Sequence, residues 1–230
     1  MATVKELIGG SPMAIIQLGP DNRTQMPTRE SMTLSRCQMI APLLAAQTYV
    51  QRVEYSGVLP DDTDYDLNQF RTLIEHHGSD FKSGMNLARV HLKQFGCALE
   101  LDQHQWIIVD KPTDLNGKEV VLARSSRYHN PRFNWREIVR RFGRQAVFVG
   151  TESEWQEFCR EFGPVDYHKC ADLLEVARAI AGVKLFVGNQ SCPYAIAEGL
   201  KQNAILEVFQ KVPNCVFPRP NAWQVNSTPF

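Results

Sequence analysis

From residue 119 onward, short apolar runs alternate with segments of helical periodicity in a regular order. This alternation is typical of a parallel sheet, because a parallel connection has to cross back over one face of the sheet and usually does so as a helix. We expect strands at residues 119–123, 146–149, 165–167, 183–187 and 204–208. The sequence therefore predicts the α/β fold class, with a parallel sheet in this part of the chain.

The helices expected between these strands have recognisable ends. Three of them begin at a short polar side chain that is followed three residues later by a glutamate, which is a helix-start pattern. These pairs are Asn134 with Glu137, Thr151 with Glu154, and Asp172 with Glu175. Gly143 and Gly182 are placed to end two of these helices, and a shorter helix is expected at residues 192–200.

The first half of the chain is less regular. It predicts a strand at residues 13–18, a helix at 34–45 bent at Pro42, a strand at 50–55, a helix at 84–95 and an apolar run at 106–109. Residues 111–117 gather turn formers between two hydrophobic runs, so we expect a linker there. This divides the chain into an N-terminal α/β domain, residues 1–112, and a second domain, residues 113–230. The proline-rich end is expected to be an extended strap.

Charge and composition exclude several classes of protein. Lys and Arg total 25 and Asp and Glu total 25, so nothing indicates a nucleic-acid partner. No long apolar run is present, and we expect a cytoplasmic protein without a membrane span. The six cysteines and six histidines lack metal-binding spacings, so we expect reduced thiols and no metal. The acidic stretch at residues 61–66 lacks the glycine and final glutamate of a calcium loop, which favours a solvated loop.

Polar residues follow the expected strands where ligands bind in open parallel sheets, at the carboxyl ends. The first such loop holds Arg124, Ser125, Ser126 and Arg127, whose guanidinium and hydroxyl donors suit phosphate oxygens. A solvated basic loop that pairs with nearby carboxylates explains the same residues equally well. Both interpretations remain open from the sequence.

A second loop leads from the strand at residues 183–187 into a short helix. It contains Asn189, Gln190, Ser191 and Cys192, and the amide groups of the helix start can attract an anion. Ser191 also fits a plain helix-capping role.

Two glutamates are further candidates for the same crevice. Glu152 opens the helix after the strand at 146–149, where its carboxylate can accept hydrogen bonds from ribose hydroxyls. Glu198 lies in the short helix and either reaches the crevice or is an ordinary surface glutamate.

Residues 120–208 resemble the C-terminal half of glycosyltransferase family 9, the heptosyltransferase-like enzymes with the GT-B fold. The resemblance is carried by residues 183–191, which read VKLFVGNQS, and residues 195–200, which read AIAEGL. It implies Rossmann-like parallel sheets in a compact two-domain, GT-B-like architecture with a shortened N-terminal half. It also implies a metal-independent, cofactor-free protein that binds a nucleotide sugar through the residues named above.

In this family the first strand is usually followed by a Gly-Asp turn whose aspartate is the general base. Here the corresponding stretch is residues 18–23, and Asp21 is the catalytic candidate, with an acid from residues 61–66 as the alternative. The resemblance then predicts sugar transfer to an unknown hydroxyl acceptor. A non-catalytic nucleotide or nucleotide-sugar binding module and a sugar-nucleotide epimerase or hydrolase are the other hypotheses, and a homodimer could complete the short first half.

Overall fold

The computed structural model describes residues 2–7, 14–18, 32–56, 64–69 and 85–225. In chain order the helices and strands are α1 (Ala2–Leu7), β1 (Ala14–Leu18), α2 (Leu34–Ala45), β2 (Val50–Tyr55), α3 (Leu87–Gln94), β3 (Val120–Ala123), α4 (Trp135–Phe142), β4 (Ala146–Phe148), α5 (Glu152–Phe162), β5 (Asp166–Tyr167), α6 (Leu173–Ala181), β6 (Leu185–Asn189), α7 (Cys192–Gly199), β7 (Ala204–Glu207) and β8 (Ala222–Val225). Short 3₁₀ turns lie at Leu67–Gln69, Leu99–Gln103 and Gly143–Gln145.

The second half of the chain forms a six-stranded sheet in which all neighbouring strands are parallel. The strand order is β5-β4-β3-β6-β7-β8. Counted from β3, this is the order 3-2-1-4-5-6 of the doubly wound Rossmann sheet. The predicted α/β class with parallel sheets is confirmed, and the order reverses between β3 and β6.

Helices cover both faces of this sheet. Because side chains alternate between the two faces of a strand, Val120 and Leu122 point to one side of β3 while Val121 and Ala123 point to the other. The first face packs against α4 and α5, which contribute Trp135, Ile138 and Phe158. The second packs against α6 and α7, whose buried residues are Val176, Ala177, Ala179, Ile180, Tyr194, Ile196 and Ala197.

The predicted helix starts are confirmed. The Asn134 side chain accepts a hydrogen bond from the amide of Glu137, and Asp172 does the same for Glu175. At α5 the capping box is reciprocal, because Thr151 accepts from the amide of Glu154 while the Glu154 carboxylate accepts from the amide of Thr151. These local bonds satisfy amide groups that have no partner within the helix.

Two elements of the second half differ from the predictions. Strand β6 begins at Leu185 and continues through Gly188 and Asn189, which had been predicted as a turn, because both residues pair with β7. The end of the chain also contains a strand, β8, where the sequence predicted only an extended strap. Its ladder with β7 is a tertiary contact, and Pro213, Pro218 and Pro220 precede β8 and so do not interrupt its pairing.

The described part of the first half contains a two-stranded parallel sheet of β1 and β2. Both strands were predicted from the sequence. Helix α3 begins at Leu87, later than expected, because Asn86 caps it.

The apolar run at residues 106–109 is not a strand. The amides of Trp106 and Ile107 both donate to the carbonyl of Gly199, and both side chains enter the core beneath α7.

The segment predicted as a linker packs closely against α6. The Thr113 amide donates to the carbonyl of Arg178 at 2.9 Å, and Leu115 is buried. A Cβ atom at Gly182 would lie 2.1 Å from the Thr113 carbonyl oxygen, so this approach requires glycine. Leu43, Trp106 and Ile107 belong to the same core cluster as the sheet residues. The division at residues 112 and 113 remains a sequence-based prediction.

Within the described ranges, no helix combines the length and apolar character needed to cross a bilayer. The six cysteines are all free thiols, and Cys192 is the exposed one.

Candidate functional site

The carboxyl edge of the sheet gathers most of the residues singled out from the sequence. Chain segments leave this edge after each strand, and β3 and β6 lie side by side where the strand order reverses. The loop after β3 spans residues 124–134, and the connection from β6 to α7 is residues 190–191. In doubly wound sheets the crevice at such a reversal is the usual ligand site.

Asn189, the last residue of β6, is fully buried and fastens the loop that follows β3. Its side-chain oxygen accepts from the amide of Ser125 at 3.1 Å, and its nitrogen donates to the carbonyls of Ser125 and Arg127. The side-chain amide is therefore occupied by the loop backbone. It holds the loop in place rather than presenting donors to a ligand.

Glu207, the last residue of β7, is a buried carboxylate that the sequence analysis missed. It accepts from the backbone amide of Asn130 at 2.6 Å and from the indole nitrogen of Trp135 at 2.8 Å. Arg124 Nε lies 3.2 Å from the same carboxylate. The one available signal was a glutamate inside the otherwise apolar run at residues 204–208.

Arg124 is largely committed to partners within the protein. Besides Glu207, its guanidinium approaches Glu161 at 3.4 Å and lies over the ring of Phe162 at 4.9 Å. Its side chain is 10% exposed. The sequence left two interpretations of this basic loop open. For Arg124 the structure shows the second one, in which the arginine pairs with nearby carboxylates.

Gln190 fastens the loop on the other side of β6. Its side-chain oxygen accepts from the amide of Phe209 at 2.6 Å, and its nitrogen donates to the carbonyl of Val212 and to Asn214 Oδ1, both at 2.8 Å. Consecutive residues at the end of β6 thus hold two different loops. The Asn189 side chain holds the loop after β3, and the Gln190 side chain holds the loop after β7.

The amino end of α7 lies between these two loops. Ser191 occupies the capping position, but its side chain makes no capping hydrogen bond. Its hydroxyl contacts the carbonyl of Asn189 at 3.2 Å instead. Cys192 is exposed in the first turn. The side-chain cap seen at α4, α5 and α6 is absent here, so the positive end of this helix can attract an anion.

The rim of the β3 loop carries exposed polar groups. Ser126 and Arg127 are both exposed. The Arg127 guanidinium lies 5.6 Å from the ring centre of Tyr128, and one ring nitrogen of His129 is 2.7 Å from the Ser125 carbonyl. Tyr128 has φ +60°, the left-handed region that side chains other than glycine seldom adopt.

Glu152 is exposed in the first turn of α5, at the end of β4. Its nearest hydrogen-bond partner is Gln156 Nε2 at 3.5 Å. Burial, followed by the charge of Glu152, raises the pKa of Tyr167, whose hydroxyl donates to the carbonyl of Gly150 at 3.0 Å. The Glu152 carboxylate is therefore exposed at the same edge of the sheet as the β3 loop.

Glu198 is not brought to this edge. Because α7 runs back across the sheet, its last turn lies toward the amino ends of the strands. The Glu198 carboxylate is fully buried between Lys201 and Arg219, with Arg219 Nε at 2.9 Å. Lys201 also lies over the Trp106 ring at 4.1 Å, and burial lowers its pKa while Glu198 opposes that shift. Neither the crevice nor the surface position expected from the sequence describes Glu198.

The catalytic candidates of the first half are mostly outside the described residues. Asp21 lies there, as do Asp61 and Asp62. Asp66 is described, and its carboxylate accepts from the amide of Asn68 at 3.0 Å, which caps the short 3₁₀ turn at Leu67–Gln69. The roles assigned to Asp21 and to this acidic stretch stay predictions.

Fold and site together define a parallel α/β protein with a Rossmann strand order and two anchored loops at the point of reversal. No protein-family model matches the chain, and no curated protein matches it. Among solved structures it is similar to E. coli heptosyltransferase WaaC with ADP-2-deoxy-2-fluoro heptose, with 21% identity and a TM-score of 0.35. The match covers 51% of this chain and 42% of that chain. A similarity this low assigns neither a ligand nor a reaction to the chain.

Proposed function

We propose that this protein binds the diphosphate of a nucleotide sugar at the carboxyl edge between β3 and β6. In this proposal it is a glycosyltransferase-like protein that passes the sugar to a hydroxyl acceptor. The observation that carries the proposal is the reversal of strand order at this point, with the flanking loops held by Asn189 and Gln190. Nucleotides bind at such reversals in doubly wound sheets.

The diphosphate is assigned to the groups around the amino end of α7. Amide groups of the helix start, the hydroxyls of Ser125 and Ser126 and the exposed guanidinium of Arg127 are suited to phosphate oxygens. Arg124 contributes indirectly, because its charge is already balanced by Glu207 and Glu161. The nucleoside is assigned to the side of Glu152, whose exposed carboxylate can accept hydrogen bonds from ribose hydroxyls.

Sugar transfer requires that the departing nucleoside diphosphate be stabilised and that the attacking hydroxyl lose its proton. The helix start and Arg127 serve the first requirement, because donors held in place before the reaction stabilise developing negative charge. For the second, Asp21 remains the proposed base.

The proposal is tested by thermal shift and calorimetric titration of the full chain with ADP, UDP, GDP and their hexose conjugates. A ligand at about 100 times its dissociation constant adds about 2.7 kcal/mol of stability, which raises the melting temperature by about 5–10 °C for a chain of this size. The absence of a shift with every nucleotide would overturn the proposal. Binding without turnover in the presence of hydroxyl acceptors would support the hypothesis of a non-catalytic binding module. Release of free sugar without an acceptor would indicate a hydrolase.

Arg127→Ala gives the sharper form of this test. The variant removes the guanidinium that we assign to the diphosphate, and we expect at least a tenfold loss of nucleotide affinity, since hydrogen bonds to charged groups contribute about 1.5–3 kcal/mol. The matched control is Arg160→Ala, which removes another exposed arginine, on α5. Equal affinities for the two variants would argue against the assigned phosphate position.

A further inference from the structure

The loops on either side of β6 meet through an aromatic contact. Tyr128 belongs to the loop after β3 and Phe209 to the loop after β7, and their ring centres are 5.5 Å apart with the planes tilted by 48°. Since β6 lies between β3 and β7, this contact bridges the carboxyl end of β6. Both rings are partly exposed. The pair therefore presents aromatic surface beside the point where the strand order reverses.

The positions of both rings are set by the end of β6. The carbonyl of Arg127, just before Tyr128, accepts from Asn189, and the amide of Phe209 donates to Gln190. Tyr128 keeps a positive φ in a loop bonded in this way. A strained residue of this kind persists only where its surroundings determine the conformation, and such residues concentrate at ligand sites.

The order of the strands indicates which part of the ligand would lie beside the aromatic pair. Neighbouring strands lie about 4.8 Å apart, so β4, β3, β6 and β7 follow one another across the edge in short steps. The proposed function places the nucleoside at the end of β4 and the diphosphate between β3 and β6. The group beyond the diphosphate then extends toward β7, where Phe209 follows the strand.

We propose that Tyr128 and Phe209 form the subsite for the sugar of the nucleotide sugar. The inference rests on the proposed function and adds to it a contact surface for the transferred group. A pyranose ring has apolar C–H faces, and an aromatic face offers these both apolar area and the negative side of its quadrupole. The Arg127 guanidinium, which we assign to the diphosphate, lies 5.6 Å from the centre of the Tyr128 ring, so the aromatic pair adjoins the proposed phosphate position.

The test compares two dissociation constants for each form of the full chain. One is for the nucleoside diphosphate that binds best among ADP, UDP and GDP, and the other is for its hexose conjugate: ADP-glucose, UDP-glucose or GDP-mannose. The conjugate carries one negative charge less than the free nucleoside diphosphate, so the absolute ratio of the two constants mixes the loss of charge with the contacts to the rings. The change of this ratio on removing a ring isolates the contacts, and we expect it to be about three- to tenfold for each ring. The ratio of the two constants cancels any general loosening of the loop.

Three variants at Tyr128 separate the ring from the backbone. Tyr128→Gly and Tyr128→Asn both tolerate a positive φ and remove the ring, so we expect the affinity for the conjugate to fall about three- to tenfold relative to that for the nucleoside diphosphate. Tyr128→Phe keeps the ring and should keep the wild-type ratio. Phe209→Leu tests the second ring and should lower the ratio as well.

The outcomes are distinguishable from those of the proposed function. A wild type that binds no nucleoside diphosphate would overturn the proposed function and the sugar subsite with it. A wild type that binds the diphosphate but not the conjugate would overturn the subsite alone. So would a Tyr128→Gly variant that retains the wild-type ratio.

Discussion

Asn189 and Glu207 are register partners at the ends of β6 and β7, and both buried side chains bond to the same loop, the one after β3. Asn189 binds the loop backbone at Ser125 and Arg127, and Glu207 binds it at Asn130. The loop is therefore held by two neighbouring strand ends. Because this loop is already fixed, it loses less conformational entropy when a ligand binds.

Replacing Asn189 by Asp should destabilise the protein by about 2–3 kcal/mol, because a buried side chain would lose its donor and face carbonyl oxygens instead. The affected carbonyls are those of Ser125 and Arg127. The free energy of unfolding from urea titration measures the effect. Asn203→Asp is the matched control, since the Asn203 amide donates to the Lys184 carbonyl in an exposed position and its replacement should cost well under 1 kcal/mol. Equal losses in the two variants would contradict the role given to Asn189.

The Arg124–Glu207 pair should show strong energetic coupling. Glu207→Gln removes the carboxylate charge and leaves the mostly buried Arg124 with the exposed Glu161, so we expect a loss of about 3 kcal/mol. Arg124→Met removes the other charge. A double-mutant cycle of these substitutions, followed by chemical unfolding, should give a coupling energy of about 1–3 kcal/mol. Additive effects would mean that the two side chains act independently.

Gly182→Ala should disturb the contact between α6 and residues 111–117. The new methyl group would meet the Thr113 carbonyl oxygen at 2.1 Å, and overpacking of this kind costs about 1–3 kcal/mol. Gly143→Ala is the control, because its Cβ would meet Val139 at an ordinary 3.4 Å and its backbone is helical. Thermal unfolding of both variants, with limited proteolysis near residue 113, distinguishes a local clash from a general loss of stability. No difference between the variants would contradict the close packing.

His91 should make stability fall as the solution becomes acidic. Burial lowers the pKa of His91, on α3, from its usual value of 6.5 to about 4. Between these two pH values the unfolded chain binds a proton that the folded chain does not, so the free energy of unfolding decreases as the pH falls through this window. The loss reaches at most about 3 kcal/mol near pH 4. Unfolding of wild type and His91→Gln at pH 7.5 and pH 5 measures the contribution, and an unaltered pH dependence in the variant would contradict it.

The predictable part of the fold lies mainly in the region after residue 119. There each apolar run, capping residue and terminating glycine acts within a few neighbours in the chain, as Thr151 with Glu154 does. Strand β8 could not be recognised in this way, because its pairing with β7 connects segments far apart in sequence. The same holds for residues 106–109, whose apolar character reflects burial beneath α7 rather than a strand.

The candidate site could likewise be predicted only in part from the sequence. The sequence predicted polar loops after β3 and β6, because polar residues at the ends of apolar runs are visible without a structure, and both loops lie at the carboxyl edge of the sheet. It did not reveal that Asn189 and Gln190 serve the loops, that Arg124 pairs with Glu207, or that Tyr128 meets Phe209. Each of these contacts joins residues between 19 and 83 positions apart.

The sequence by itself determined the α/β class, the positions of most strands and helices in the second half, and which loops carry polar side chains. These follow from local periodicity and from short-range hydrogen bonds at helix ends. The tertiary structure decided the order of the strands, and with it which loops share an edge and which charges neutralise each other. The reason is physical: burial and ion pairing depend on neighbours in space, and parallel strands acquire those neighbours only when the chain crosses over the sheet.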